Sequence, residues 1–325
     1  MKLNYADLTK AKSQKIGIRA EEFRKNFLRD WQLYLLILLP LIYILIFHYG
    51  PMYGLQMAFR NYRAADGITG SEWVGLKWFE KFLTNRQFKQ VFSNTFILSI
   101  YNLAIGFPLP IIFALMLNTL RREKYKRLIQ TVSYMPHFIS LAVAVSLVSM
   151  VLSPVNGVYG GLYNLLGGSG YPVDFRSTAG AFRHIYVWSD VWQQLGWNSI
   201  IFIAALSSVS PELHEAAQID GASRFKRVLH VDLPAILPTI CIMLILRCGS
   251  IISVGFEKAY LMQTGVNLQT AEVISTYVYK VGMGSFRDFS YGAAVGLFNN
   301  VINLVLLLIV NYVCKKMTSD DVSLF

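Results

Sequence analysis

The sequence predicts an all-α integral membrane protein with six transmembrane helices. Hydrophobic residues make up 54% of its 325 residues and charged residues only 15%, which is too little polar material to cover a soluble globule. Six mostly apolar stretches also reach the roughly 20 residues that a helix needs to cross a bilayer. These stretches cover residues 31–52, 91–117, 128–152, 185–209, 235–255 and 291–314. We therefore expect one membrane domain over residues 31–316.

Lysine and arginine orient the predicted spans, because cytoplasmic loops carry an excess of both residues. An N-terminus on the inside places 18 of the 30 basic residues on the cytoplasmic side and 11 outside, with Arg247 within the fifth span. Six of the eleven outer basic residues lie in the first outer loop, residues 53–90, so this loop is the weakest support for the predicted orientation. Both termini are predicted to be cytoplasmic. The net charge of +11 follows from this topology and predicts no nucleic acid partner.

Two tails flank the membrane domain. The leading tail, residues 1–30, is basic and amphipathic, and we expect it to lie on the inner membrane surface in contact with lipid. The apolar run from Trp31 is too long for the core of a signal peptide and lacks a small-residue cleavage site after it, so no cleaved signal is expected. The closing tail, residues 317–325, is short and is also expected in the cytoplasm.

The first outer loop contains one patterned segment. Aromatic and charged residues alternate at helical spacing over residues 73–82. This pattern is typical of an interfacial helix whose rings lie at the depth of the lipid headgroups, and we favour that interpretation. A landing surface for an extracytoplasmic partner is the alternative.

The polar loop between the fourth and fifth spans, residues 210–235, carries signals for two short helices that meet at a corner. Ser210 is a suitable N-cap for the first helix, and Pro211 suits its first position. Gly221 allows the left-handed conformation that ends it. A second, basic helix is expected over residues 223–231. The loop is predicted to be a docking element, and an ordinary helical hairpin is the alternative.

Polar and aromatic side chains of the last three spans are candidates for the path of a hydrophilic solute. Aromatic faces and amides suit a polyhydroxylated ligand, because they offer stacking area together with hydrogen-bond donors and acceptors. The alternative is that the amides bond neighbouring helices and that the tryptophans lie at the membrane interface. The candidates are Trp192, Gln193, Trp197, Asn198, Arg247, Glu257, Lys258, Asn299, Asn300 and Asn303.

Arg247 is the most informative of these candidates, because an arginine in the middle of a span is costly in lipid. We expect its side chain to face a central cavity or a partner subunit. The sequence leaves its counter-ion open: either an acidic sugar or Glu257, at the outer end of the same span.

The sequence contains no catalytic, metal-binding or nucleotide-binding pattern. His214 and Glu215 begin like a zinc-protease helix, but Gln218 occupies the position of the second histidine. A Walker A sequence is absent, so the chain is not expected to hold ATP phosphates itself. The acidic residues of the outer loops are not paired as a glycosyl transferase or hydrolase would require. We therefore expect no catalytic residue and no metal site.

The polar loop resembles the EAA loop of ATP-binding-cassette (ABC) importer permeases. Val231 stands where that family usually has isoleucine, which is a small departure. Further segments resemble the LplB-type branch of carbohydrate permeases, namely residues 49–54, 73–77, 246–261, 273–279 and 296–303. The resemblance assigns coupling to an ATPase to Glu215, Ala216, Ala217, Asp220, Gly221, Leu233 and Pro234.

This resemblance implies a type I, maltose-permease-like fold and a pore subunit that is not itself an enzyme, in the bacterial cytoplasmic membrane. The expected partners are a second related permease, two cytoplasmic ATPase subunits and an extracytoplasmic solute-binding protein. ATP and magnesium are bound by the ATPase, so no cofactor is expected in this chain. The predicted function is import of oligosaccharides. The alternatives are an ion-coupled sugar carrier, a permease for a non-sugar solute, and a membrane-embedded glycosyl transferase or hydrolase.

Overall fold

The computed structural model describes residues 29–120, 122–252, 254–284 and 287–317. Apart from their residues nearest the membrane domain, the two predicted tails, 1–30 and 317–325, lie outside this part of the chain, so their membrane contact stays a prediction. The chain divides into two units, Met1–Gln56 and Met57–Phe325. Each unit is described by itself.

The described part of the first unit is one apolar helical stretch. Helix α1, Trp31–Ile44, passes into a π-helical turn at Leu45–Tyr49 and a last α-helical turn at Gly50–Met52. Pro40 lies inside α1, where it removes one backbone hydrogen bond without ending the helix. The helix therefore covers the first predicted span, residues 31–52. A 3-10 turn at Tyr53–Phe59 leads onward into the second unit.

Near its start the second unit has a short hairpin, which contains the two strands among the described residues. Strand β1, Arg60–Arg63, pairs antiparallel with β2, Ser71–Trp73, and a helical turn at Gly67–Gly70 lies between them. Helix α2, Lys77–Thr84, follows.

The rest of the second unit is helical, and its order along the chain positions the sites described below. The helices are α3 Arg86–Gly106, α4 Pro108–Asn118, α5 Glu123–Tyr134, α6 Leu141–Val151, α7 Val158–Leu165, α8 Ala179–Ser207, α9 Pro211–Ile219, α10 Arg224–Arg227, α11 Leu237–Cys248, α12 Phe256–Met262, α13 Leu268–Ala271, α14 Ile274–Met283 and α15 Phe289–Met317. A 3-10 turn at Met135–Phe138 follows α5, and a π-helical turn at Val228–Asp232 and a short helix at Leu233–Ala235 follow α10.

Helix α2 belongs to an aromatic core, which the expectation of an interfacial helix did not include. Trp78 and Phe82 are buried against Tyr277 of α14 and Tyr291 of α15. Asn85 donates hydrogen bonds of 3.4 Å to both tyrosine hydroxyls. We call this cluster, with β1, β2 and α2, the aromatic cap. Trp78 and Phe82 therefore pack against protein, whereas Trp73 of the same patterned segment is 59% exposed.

Three helical stretches are long and apolar enough to cross a membrane, by length and composition: Trp31–Phe59, Arg86–Asn118 and Phe289–Lys316. Two bent pairs raise the number to five if each pair is one span. Helix α8 covers the predicted fourth span, residues 185–209, but falls short because Asp190 and its amide side chains lower its hydropathy. The count of six therefore stays a prediction.

Two breaks correct spans that the sequence presented as continuous, the first within a bent pair of helices and the second after α11. Glu123–Phe138 and Leu141–Val151 meet at 103°, after Pro136 and at the N-cap Ser140. Proline restricts the residue before it and Ser140 starts a new helix, so the direction changes there. Helix α11 ends at Cys248, and a linker runs from Gly249 to the start of α12. Mean hydropathy over a span-length window does not reveal such breaks, because apolar residues lie on both sides of each break.

Helix α8 organises the centre of the second unit. Phe182 and Tyr186, near its start, pack against Leu98 of α3, and Phe202 and Leu206, near its end, pack in a cluster with Ile111 and Ala114 of α4. Between these clusters α8 crosses close to α5. A Cβ on Gly196 would lie 2.3 Å from the Ser133 carbonyl oxygen, so only glycine permits this approach.

Candidate functional site

The polar loop folds as an elbow, a name used here for residues 210–235. The Ser210 hydroxyl accepts a hydrogen bond from the first turn of α9. At the other end, the Gly221 N–H donates to the Gln218 carbonyl at 3.0 Å and the Ala222 N–H to the Ala217 carbonyl at 2.9 Å. This is the Schellman pattern, which requires a left-handed residue, and Gly221 has a φ of 72°. The predicted stop signal thus has the expected geometry.

The second half of the elbow begins at another cap. The Ser223 hydroxyl accepts a hydrogen bond of 3.4 Å from the Lys226 N–H, and α10 then continues through a π-helical turn into Leu233–Ala235. After Ile236 the chain turns by 60° into α11. The elbow therefore has two helical arms, and the second arm leads directly into α11.

A buried carboxylate holds the elbow against α4. Asp232 is 3% exposed, and its Oδ1 lies 3.2 Å from Nε2 of His214 on α9. The side-chain amide of Asn118, at the end of α4, donates to the same oxygen at 3.3 Å. Burial raises the pKa of Asp232, while His214, Arg227 and Asn118 act in the opposite direction. The sequence did not predict this contact among Asn118, His214 and Asp232, because the three residues are far apart in the chain.

The exposed surface of the elbow carries large apolar side chains among charged ones. Ile219 is 88% exposed and Phe225 is 72% exposed, and Leu213 is also exposed. Of the seven residues assigned to coupling, Ala217 and Leu233 are half-buried, and Glu215, Ala216, Asp220, Gly221 and Pro234 are exposed. Large exposed apolar side chains beside small ones are typical of a surface that receives another protein.

A polar cavity of about 360 Å³ lies among α3, α8, α11 and α12. Along α8 it falls between the two apolar clusters of that helix. Its charged lining residues are Asp190, Arg247 and Lys258. Its uncharged polar lining comes from Ser99, Asn102, Tyr186, Gln193, Gln194, Asn198 and Ser250. The lining therefore combines hydroxyl, amide and charged groups.

Asp190 is the centre of the charge cluster. Its Oδ1 accepts a hydrogen bond of 3.2 Å from the Lys258 ammonium, and its Oδ2 lies 3.8 Å from a terminal nitrogen of Arg247. The Lys258 ammonium also lies over the Tyr186 ring, 4.8 Å from its centroid. The cluster joins α8, α11 and α12. It corrects the option that Arg247 pairs with Glu257, whose side chain is exposed.

Four of the ten residues predicted for a solute path line this cavity: Gln193, Asn198, Arg247 and Lys258. Gln193 is buried, and its amide donates to the Ile139 carbonyl at the bend before α6. Its amide nitrogen is thus engaged in bonding between helices, as the alternative interpretation holds.

The other six predicted path residues do not line the cavity. Trp197 stacks on His137, with centroids 4.2 Å apart, and Trp192 is 44% exposed outside it. Asn303 is buried and its Oδ1 accepts a 3.0 Å hydrogen bond from the Ile252 N–H, in the linker after α11. Asn299 is buried on the same helix, whereas Asn300 and Glu257 are exposed. The last span therefore contributes its asparagines to packing and surface instead of to this cavity.

Sequence reasoning missed Asp190, although it carried a signal. Asp190 is the one acidic residue between positions 185 and 209, and an ionisable residue inside a span is by default a candidate for function. Ser99 and Asn102 carried no comparable signal, because single small polar residues are common in membrane helices.

Comparison with known proteins agrees with the prediction drawn from the elbow. The family described as "Binding-protein-dependent transport system inner membrane component" matches residues 106–319. The protein LplB of Bacillus subtilis (strain 168) is 42% identical over 90% of this chain and 91% of its own length. The polygalacturonan/rhamnogalacturonan transport system permease protein YteP of the same organism is 40% identical over 89% of each chain.

A solved structure shares the fold. A chain of a bacterial alginate ABC transporter, determined in complex with an alginate pentasaccharide-bound periplasmic protein, superposes with a TM-score of 0.83 at 39% identity. The match covers 91% of this chain and 98% of that chain. The protein is therefore a member of the family of binding-protein-dependent transport system inner membrane components, and it has the fold of an ABC importer permease.

Proposed function

We propose that this chain is the pore-forming permease subunit of an ATP-driven importer that takes up oligosaccharides. One observation carries the proposal: in one chain, α11 connects an elbow that has exposed apolar side chains to a polar cavity. The relatives add support, because YteP is named for transport of polygalacturonan and rhamnogalacturonan and the solved transporter for alginate. A polyhydroxylated solute suits a cavity lined by amides and hydroxyls.

In this proposal the elbow docks on a cytoplasmic ATPase. Two ATPase subunits and a second, related permease complete the membrane complex, and ATP and magnesium are bound by the ATPase. Closure of the ATPase would displace the elbow, and α11 would carry that displacement to Arg247 at its far end. The cavity would then open outward to receive an oligosaccharide from a solute-binding protein, and would release it inward on reopening.

The topology belongs to the same proposal. Six spans, with α8 as the fourth, place both termini in the cytoplasm and the elbow on the ATPase side of a bacterial cytoplasmic membrane. Helix α8 tolerates Asp190, Gln193 and Asn198 because these side chains line the cavity. Cysteine accessibility at Lys124 and Asp220 tests this orientation, and both positions are expected to react only from the cytoplasmic side.

Uptake by the reconstituted complex tests the function. The complex of this chain with its partner permease and ATPase, in proteoliposomes with the solute-binding protein outside, should accumulate labelled oligosaccharide only when ATP is enclosed. Accumulation without ATP that collapses on adding a protonophore would instead identify an ion-coupled carrier. ATP-dependent uptake confined to a non-sugar solute would support the proposal of an ATP-driven importer and contradict the proposal of a saccharide substrate.

A further inference from the structure

The charge of the cavity is unbalanced. Among the described lining residues, Arg247 and Lys258 supply two positive charges and Asp190 supplies one negative charge. The lining therefore carries a net positive charge, which favours a ligand group of opposite sign as its partner. A neutral sugar offers no such partner, whereas an anionic one does.

The two cations are held differently. The Lys258 side chain is 5% exposed, and its ammonium is hydrogen-bonded to Asp190 and lies over Tyr186. The Arg247 side chain is 39% exposed, and its 3.8 Å separation from Asp190 is too long for a hydrogen bond. A guanidinium carries five donors in a planar fork that matches a carboxylate. Arg247 is therefore the cation that is placed to bind something else.

The uncharged part of the lining indicates what accompanies the charge. Beside the charge cluster, the side chains of Asn102, Asn198 and Ser250 line the cavity. Amides and hydroxyls donate and accept hydrogen bonds, as the hydroxyls of a sugar do. The cavity therefore offers a cation and hydrogen-bonding groups for hydroxyls.

Resting on the proposed function, we propose that the substrate is an acidic oligosaccharide whose sugar carboxylate binds Arg247 by displacing Asp190 from it. Asp190 keeps its hydrogen bond to Lys258, so the pair stays in place as a fixed part of the wall. In the empty cavity Asp190 is a weak internal counter-ion for Arg247, and a bidentate sugar carboxylate replaces it.

Binding to the purified complex of this chain, its partner permease and its ATPase tests the inference without the solute-binding protein, which has its own selectivity. The probes are trisaccharides of galacturonate, mannuronate and guluronate, each measured beside its carboxyl-reduced, neutral form. At least one uronate should bind about tenfold or more tightly than its reduced form, since a hydrogen bond to a charged group is worth about that factor.

Variants at position 247 separate the ligand contact from a structural role. Arg247→Gln should abolish the preference for the uronate while the neutral form binds as before, and Arg247→Lys should restore part of it. Lys124→Gln, which removes an exposed charge far from the cavity in sequence, is the matched control and should change neither constant. Melting temperature and complex assembly confirm that each variant folds.

The outcomes that overturn the inference differ from those that overturn the function. Equal binding of uronate and neutral forms, or a uronate preference that persists in a folded Arg247→Gln complex, would remove Arg247 as a carboxylate site. If the same complex still imports a neutral trisaccharide with ATP, the proposed function is supported although the inference about Arg247 is wrong. If an assembled complex that hydrolyses ATP imports no saccharide of the panel, both proposals fall.

Discussion

The aromatic cap and the elbow differ in the exposure of their large apolar side chains. In the cap, Trp78 is 8% exposed and Phe82 is 1% exposed, and both are enclosed by rings from two other helices. In the elbow, neither α9 nor α10 has a buried residue, and Ile219 and Phe225 are largely exposed. Both regions therefore contain large apolar side chains, which are buried in the cap and exposed in the elbow.

This difference indicates where each region finds its packing partner. The cap obtains its partners from the same chain, so its aromatic residues contribute mainly to stability. Asp232 and Leu233 hold the base of the elbow against the rest of the chain, and Ile219 and Phe225 stay exposed. Substitutions in the cap should therefore act on folding, and substitutions in the elbow should act on assembly and coupling.

The largest expected effect on stability is at Phe82. Phe82→Ala removes a fully buried ring from the cap and should lower the free energy of unfolding by about 3–5 kcal/mol, through lost burial and the cavity that remains. The measurement is thermal unfolding of the purified chain in detergent. A melting temperature equal to that of the wild type would mean that the cap is not a rigid core.

An intermediate effect is expected at Gly221. A β-branched side chain is strained at a φ of 72°, so Gly221→Val should cost about 1–2 kcal/mol and misplace the two arms. A Cβ at this position meets nothing within 4 Å, so the effect comes from the backbone alone. Gly221→Asn, which tolerates the left-handed conformation better, is the control.

The readout for this pair of variants is ATP hydrolysis coupled to transport, with membrane insertion measured alongside. Gly221→Val should lose coupling and still insert, and Gly221→Asn should retain most of it. Wild-type coupling in Gly221→Val would remove the elbow from the mechanism.

The smallest effect on stability is expected at Phe225, where the same change as at Phe82 tests the comparison directly. Phe225→Ala should change the free energy of unfolding by no more than about 0.5 kcal/mol, because the ring is 72% exposed. Co-purification with the ATPase should nevertheless fall, since the minority of interface residues that fill a pocket on the partner each cost more than about 1 kcal/mol of binding free energy when truncated. Unchanged co-purification would exclude Phe225 from the contact.

The elbow was predictable because its signals are local. Ser210, Pro211 and Gly221 determine its first arm through hydrogen bonds within a few residues, and these bonds have the expected geometry. The family followed from the same stretch. The aromatic cap was not predictable, because the alternation over residues 73–82 does not say whether lipid or protein covers the rings.

The cavity was only partly predictable. Arg247 was identified by its residue type alone, but its partner Asp190 is 57 positions away, and no pattern of spacing connects the two helices. The asparagines of α15 show the opposite failure. Their residue type suggested a solute path, yet Asn303 supports the backbone of the linker at Ile252. Residue type indicates capacity to bind, and only the packing of helices decides what is bound.

The Schellman turn at Gly221 has a consequence for the order of assembly. Its bonds close within six residues, so the corner of the elbow forms without help from any distant part of the chain. Contacts of such short sequence separation form early and quickly. An ATPase would therefore meet a corner that is already shaped, and docking would carry little entropic cost for ordering it. A preformed corner would also pass a displacement of α9 on to α10 instead of absorbing it.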